Sequence, residues 1–209
     1  MAGNVATYAG ADYLASCGAD IIKVGIGGGS VCTTRIKTGF GVPNLTAIKD
    51  CTRVDRSVVA DGGIRNPGDI VKALAFGADF VMIGSMLAGT RPTPGKVITR
   101  TTESGQELKF KMYRGMASSE VHEDYHGGLA DWKTAEGVSM EVEYRETEEI
   151  IIADIVGGLR SGMTYAGPLR SANYNANWIM SGSPTRQGLK TFPTEPFNKI
   201  ILNSNLSLP

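Results

Sequence analysis

The chain has 209 residues, 42% of them hydrophobic and 20% charged, which suits a protein that buries a core and excludes wholesale disorder. Its 21 basic and 21 acidic side chains balance, which argues against a generally basic nucleic-acid binder. No run reaches the roughly 18 apolar residues of a membrane span, no basic-then-apolar leader opens the sequence, and three cysteines without metal-ligand spacing fit a reduced, cytoplasmic setting.

Four short apolar runs, residues 2–7, 20–26, 57–63 and 79–84, are predicted as strands. An alanine-rich stretch after the first, residues 9–17, reads as a helix stopped by Gly18. After the third run, Asn66-Pro67-Gly68-Asp69 supplies an N-cap, a first-turn proline and an acidic first turn for a helix ending at Gly77. Short apolar strands without alternation, separated by helices, predict an α/β fold whose parallel sheet is covered on both faces. From about Met86 to Tyr144 the character changes. Residues 90–105 are polar and turn-rich, 107–113 suggest a strand, and 117–135 are polar with paired Gly127 and Gly128, which suits a mobile lid. Residues 147–159 read as an amphipathic helix with Ile151, Ile155 and Leu159 on one face. The division is therefore a unit over residues 1–169, including the lid, and a polar, loosely ordered tail over 170–209.

Ligands in α/β sheets bind at the carboxyl ends of strands, so the residues after each run carry the chemistry. After the second run, the glycines of residues 25–29 can aim backbone N–H groups or carbonyls at one point, which suits an anion or a cation. Cys32 follows directly, and polarised backbone there favours a thiolate nucleophile. Cys17 and Cys51, in helix-like contexts, read instead as small buried hydrophobes. Asp61-Gly62-Gly63 after the third run reads equally as an acceptor for sugar hydroxyls and as a strand-ending turn. Gly84-Ser85 after the fourth offers backbone donors and a hydroxyl for a phosphate.

These residues resemble the IMP dehydrogenase/GMP reductase family. The resemblance rests on Ala2-Gly3-Asn4-Val5, Lys23-Val24-Gly25-Ile26-Gly27, Ser30-Val31-Cys32-Thr33-Thr34-Arg35, Asp61-Gly62-Gly63, Tyr113-Arg114-Gly115-Met116 and Gly157-Gly158-Leu159-Arg160-Ser161. Within the family the chain is similar to the GMP reductase branch, through Lys37-Thr38-Gly39-Phe40-Gly41 and a short lid with no Arg-Tyr pair between Gly115 and Glu136. Arg114 with Met116 is more like the dehydrogenase branch, and Gly28 stands where the family has proline.

The resemblance implies a (β/α)8 TIM-barrel family fold of which this chain holds about the last four βα units, a half-barrel. It also implies an NADPH-dependent oxidoreductase that converts GMP to IMP and ammonia, with Cys32, Thr34 and Glu136 catalytic. Ser30, Asp61, Gly62, Gly63, Gly84, Ser85, Gly115, Met116 and Ala117 would hold the nucleotide. Asn4, Ile26, Gly27, Met116, Trp132 and Lys133 would meet the cofactor, with Ser161, Gly162, Met163 and Thr164 near a neighbouring subunit's cofactor. Gly27, Gly29, Cys32 and Arg35 match a potassium loop. The partners implied are GMP or IMP, further copies in a homo-oligomer (a tetramer in the family) and a separately encoded N-terminal half. The alternatives are an IMP dehydrogenase using NAD and a non-catalytic half-barrel.

Overall fold

Each apolar run forms a strand shorter than the run itself: β1 (Ala2–Val5), β2 (Ile21–Val24), β3 (Ser57–Asp61) and β4 (Phe80–Ile83). In the computed structural model, which describes residues 1–166 and 200–202, the four pair in parallel in sequence order. Helices α1 (Tyr8–Ser16), α2 (Thr34–Thr38), α3 (Asn44–Cys51) and α4 (Pro67–Ala75) fill the connections. Side-chain caps start two of them. Thr7 Oγ1 accepts the Gly10 N–H at 3.3 Å, and Asn66 Oδ1 accepts the Asp69 N–H at 3.0 Å, the cap predicted for α4.

The strands do alternate, and this corrects the expectation of a sheet covered by helices on both faces. Ile22, Val24, Val58, Ala60, Val81 and Ile83 join one buried cluster with Ala11, Ala47, Ile48, Ile70 and Leu74 from the helices. The register sets Lys23 beside Val59 and Val59 beside Phe80, and pairs Asp61 with Met82, so the intervening residues share the opposite face. That face carries a lysine and an aspartate among apolar side chains. An interior filled by side chains, as in a barrel, explains why the runs look continuously apolar although, among the described residues, helices cover one side only.

The stretch expected to be a lid is built from regular elements. Strands β5 (Ile98–Thr101), β6 (Glu107–Arg114) and β7 (Ser139–Glu143) form an antiparallel sheet, and α5 (Ser119–His126) lies between the last two in sequence. Lys111 on β6 is buried, and its Nζ donates to the carbonyls of Thr90 (3.2 Å), Arg91 (3.0 Å) and Thr93, tying the start of this region together. Helix α6 (Glu149–Ala166) runs seven residues beyond its predicted end, with Ile155 and Leu159 buried as expected. It lies against α4, where Gly158 meets Pro67 and Gly162 meets Val71. Three residues of the expected tail form a strand, β8 (Ile200–Leu202), parallel to β4 at the sheet edge. The rest of the tail expectation lies outside the described residues. No helix among the described residues is long and apolar enough to cross a membrane.

Candidate active site

The loop after β2 is fixed at both ends by backbone. The Gly25 N–H donates to Val5 O at 2.9 Å, and the Cys32 N–H donates to Gly29 O at 3.1 Å. The second bond closes a turn that leaves the Cys32 thiol half-buried, with Sγ 3.2 Å from Thr34 Oγ1 at the start of α2.

Glu136 reaches this point through main-chain pairing rather than proximity in sequence. The Thr33 N–H donates to Glu136 O at 2.8 Å and the Val138 N–H to Val31 O at 2.9 Å, which sets Cys32 opposite Gly137. Bonds from the Glu136 N–H to Ala117 O (3.0 Å) and from the Gly115 N–H to Val138 O (3.0 Å) bind the same segment to the residues after β6. Thiol, hydroxyl and carboxylate thus converge from two regions about a hundred residues apart.

At the end of β3, Asp61 is oriented by two cross-strand donors. Asn4 Nδ2 lies 2.9 Å and Lys23 Nζ 3.0 Å from the same oxygen, Oδ2, while Asn4 Nδ2 also donates to Gly25 O at 2.7 Å. The turn beyond it depends on glycine. Gly62 has φ +91°, and a Cβ there would stand 3.0 Å from the Gly28 carbonyl carbon and 3.1 Å from the Gly29 nitrogen, so the two glycine loops touch backbone to backbone.

A cavity of about 300 Å³ opens between these loops. Cys32, Thr34 and Glu136 line it, as do Ser30, Asp61, Gly62, Gly63, Gly84, Ser85, Gly115, Met116 and Ala117, so every residue expected to act on or hold a nucleotide meets here. Of the expected cofactor residues, Asn4, Gly27 and Met116 line it. Ile26 is half-buried behind the loop and outside the lining. Trp132 is 82% exposed with Lys133 Nζ 5.0 Å from its ring centre, and Ser161, Gly162, Met163 and Thr164 belong to α6; none of these six lines the cavity. Of the expected cation loop, Gly27, Gly29 and Cys32 line the cavity; Arg35 does not, and its side chain lies against Gly27, donating to Val42 O at 2.8 Å and to Ile26 O at 3.5 Å.

Sequence reasoning missed Lys23 and Met82 in the lining and gave Tyr113 and Arg114 no role. Lys23 had a signal, a lone charge within an apolar strand. Ser30 Oγ lies 3.5 Å from the Tyr113 hydroxyl, and Arg114 pairs with Asp124 at 2.5 Å, which holds its guanidinium to α5 and raises its pKa. A second cavity of about 880 Å³ adjoins the first along Gly84, Tyr113, Arg114 and Met116.

The other cysteines stand apart. Cys51 is buried in the core, and burial pushes its thiol up to about 11. Cys17 is exposed, not the small buried hydrophobe expected, because it caps the C-terminus of α1 where the chain turns outward.

Known proteins resemble this chain in sequence and fold. Residues 1–180 match the family model described as IMP dehydrogenase / GMP reductase domain. GMP reductase 2 of Bos taurus is 46% identical over 171 residues, covering 80% of this chain and 48% of the relative, so the chain spans about half the length of such curated relatives. Two crystal structures are similar. Inosine 5'-monophosphate dehydrogenase from Legionella pneumophila is 71% identical with TM-score 0.64, over 79% of this chain and 50% of that one. A cysteine-to-alanine variant of GMP reductase from Trypanosoma brucei, in complex with guanosine 5'-monophosphate, is 43% identical with TM-score 0.70, over 79% of this chain and 34% of that one. With the family model matched over residues 1–180, the chain belongs to the IMP dehydrogenase/GMP reductase family.

Proposed function

We propose that this chain carries the nucleotide-handling and covalent half of a GMP reductase. The observation that carries the reading is the convergence of Cys32, Thr34 and Glu136 in one cavity with the Asp61-Gly62-Gly63 turn and Gly84-Ser85. Asn4 and Lys23 both hold Asp61 by Oδ2, which leaves Oδ1 to accept from ribose hydroxyls. Glycine backbone and Ser85 at the strand ends suit the phosphate. The Cys32 sulfur attacks C2 of the purine, and its proton passes by way of Thr34 and Glu136 to the departing amino group, which leaves as ammonia. The product is a thioimidate joined through Sγ. NADPH, when bound, supplies the hydride that reduces C2. The C2–S bond then breaks, returning the electron pair to Sγ and releasing IMP. Asn4, Gly27 and Met116 line the cavity, which supports their meeting the nicotinamide end.

A cation fits the loop chemically. The ligands offered by Gly27, Gly29 and Cys32 are neutral carbonyls, a hard oxygen set that suits potassium, and Gly29 O accepts the Cys32 N–H. Arg35 could join this set only through its carbonyl, which accepts the Gly39 N–H at 3.1 Å, since a guanidinium has no lone pair to donate. We further propose that turnover requires a complementary set of strands, from an N-terminal half or another copy.

A second reading, IMP dehydrogenase, is favoured by the 71% identity to the Legionella pneumophila enzyme. It shares the covalent step but then needs water activated for hydrolysis. The absence of an Arg-Tyr pair in residues 115–136, and the tie of Arg114 to Asp124, favour the reductase. The test assays one preparation, with and without the N-terminal half of a GMP reductase, for GMP-dependent NADPH oxidation and for XMP formation from IMP and NAD. The reductase reading expects the first with ammonia release and little of the second. XMP formation as fast as GMP reduction would overturn it.

A further inference from the structure

Asn44 is the first residue of α3 and stands behind the cavity rather than in it. Pro43 enters the helix in extended conformation (φ −55°, ψ 129°), which aims the next side chain back toward the strand ends. Asn44 Nδ2 donates to two consecutive carbonyls of the turn after β3, Asp61 O at 3.0 Å and Gly62 O. Its Oδ1 is buried and has no hydrogen-bond partner among the described residues. That oxygen faces the cysteine loop. A Cβ at Gly28 would lie 3.0 Å from it, and one at Gly25 3.2 Å. Since Gly62 already touches the backbone of Gly28 and Gly29, the amide fills the seam between the loop that leads to Cys32 and the turn that carries Asp61.

We propose that Asn44 is a positioning residue that clamps the Asp61-Gly62-Gly63 turn, and that the fit of its unpaired Oδ1 against Gly28 sets the distance between the Cys32 thiol and a nucleotide held by that turn. The nucleotide part of this inference rests on the function proposed above; the effect on the thiol does not. The donors fix one loop by hydrogen bonds. The bare oxygen meets the other by contact alone, so a side chain at position 28 would have to push the Asn44 amide back by a few tenths of an ångström. A carboxylate at position 44 would lose both donors and repel two carbonyls.

The test uses the full chain and reads alkylation of Cys32 by iodoacetamide, resolved by peptide mass, with exposed Cys17 as internal control and with or without GMP. Asn44→Ala is expected to change the Cys32 rate at least threefold and to weaken GMP protection at least fivefold, with the Cys17 rate unchanged; Asn44→Gln, which keeps the amide, should restore part of both. Gly28→Ala is expected to act as strongly in the parent chain, yet to add less than twofold in the Asn44→Ala background, because the contact it violates is already gone. Cys32 rates within twofold of the parent in Asn44→Ala, or strictly additive effects with Gly28→Ala, would overturn the clamp. If Asn44→Ala does not fold, Gly28→Ala alone decides, by the same threefold change in the Cys32-to-Cys17 ratio or by its absence. If GMP fails to protect Cys32 in the parent, the nucleotide reading falls, while the change in thiol reactivity still tests the clamp.

Discussion

At the scale of single residues, the site joins a thiol 3.2 Å from a hydroxyl with a carboxylate delivered by backbone pairing. The division of roles makes two substitutions informative. Cys32→Ala removes the atom proposed to form the covalent bond but no group proposed to hold ribose or phosphate. Turnover in the complemented enzyme should therefore vanish while GMP affinity, measured by calorimetry, stays within about tenfold. Glu136→Gln keeps the main-chain bonds to Thr33 and Ala117 and removes only the titrating group, so the rate of ammonia release should fall by roughly 10²-fold or more. Cys32, Asp61 and Gly84 were legible in sequence because each follows an apolar run, where ligands meet a parallel sheet. Asn44 was not. It sits at the start of an ordinary helix, and its importance comes from a contact with a turn 17 residues away that only the fold creates. Cys17 was misread because a helical context does not tell which side of the last turn faces water.

At the scale of elements, α6 offers a contrast within one helix. Gly158 would drive a Cβ to 2.3 Å from Pro67 Cβ, whereas Gly157 has nothing within 4 Å of such an atom. Gly157→Ala should raise stability by about 0.5–1 kcal/mol through helix propensity, while Gly158→Ala should lower the melting temperature by forcing α6 off α4. The predicted helix runs through both glycines and stops at Leu159, short of Gly162, where a Cβ would stand 2.8 Å from Val71 Cγ2. Lys111→Met should cost on the order of 1–3 kcal/mol, because the carbonyls of Thr90, Arg91 and Thr93 lose their shared donor in a place where burial already lowers the pKa of the ammonium. On α3, Asp50 accepts the Tyr8 N–H at 2.7 Å, and this bond, with Arg53 beside it, holds its carboxyl below the ordinary value. The stability it gives is present above the unfolded pKa of about 4 and is lost as pH falls through the lower folded value. Asp50→Asn should flatten that acid limb in a series of melts. Helix α5 escaped sequence reading because Val121 is its only buried residue, which leaves too little apolar periodicity to detect.

At the scale of the whole molecule, the helices among the described residues cover one face of the parallel sheet, and the other carries half-buried Ile21, Lys23, Phe80 and Met82. Parallel sheets are stable when both faces are covered, so the account expects this face to meet further protein. Light scattering of the chain alone should give a mass above that of a 22.2 kDa monomer, and added N-terminal half should replace self-association with a defined complex. A monodisperse monomer with a cooperative melt would contradict that. The α/β class and the strand order were legible from the apolar runs and their caps. The one-sided cover was not, because a face lined by other side chains and a face lined by helices select the same apolar residues.

The most direct measurement is the mass of the Cys32 peptide from the complemented enzyme quenched while GMP is present and NADPH is withheld. An increase equal to GMP less ammonia is expected, confined to Cys32 and absent from Cys17 and Cys51. Bound GMP with an unmodified Cys32 at every concentration tested, or the same adduct on Cys17, would contradict it.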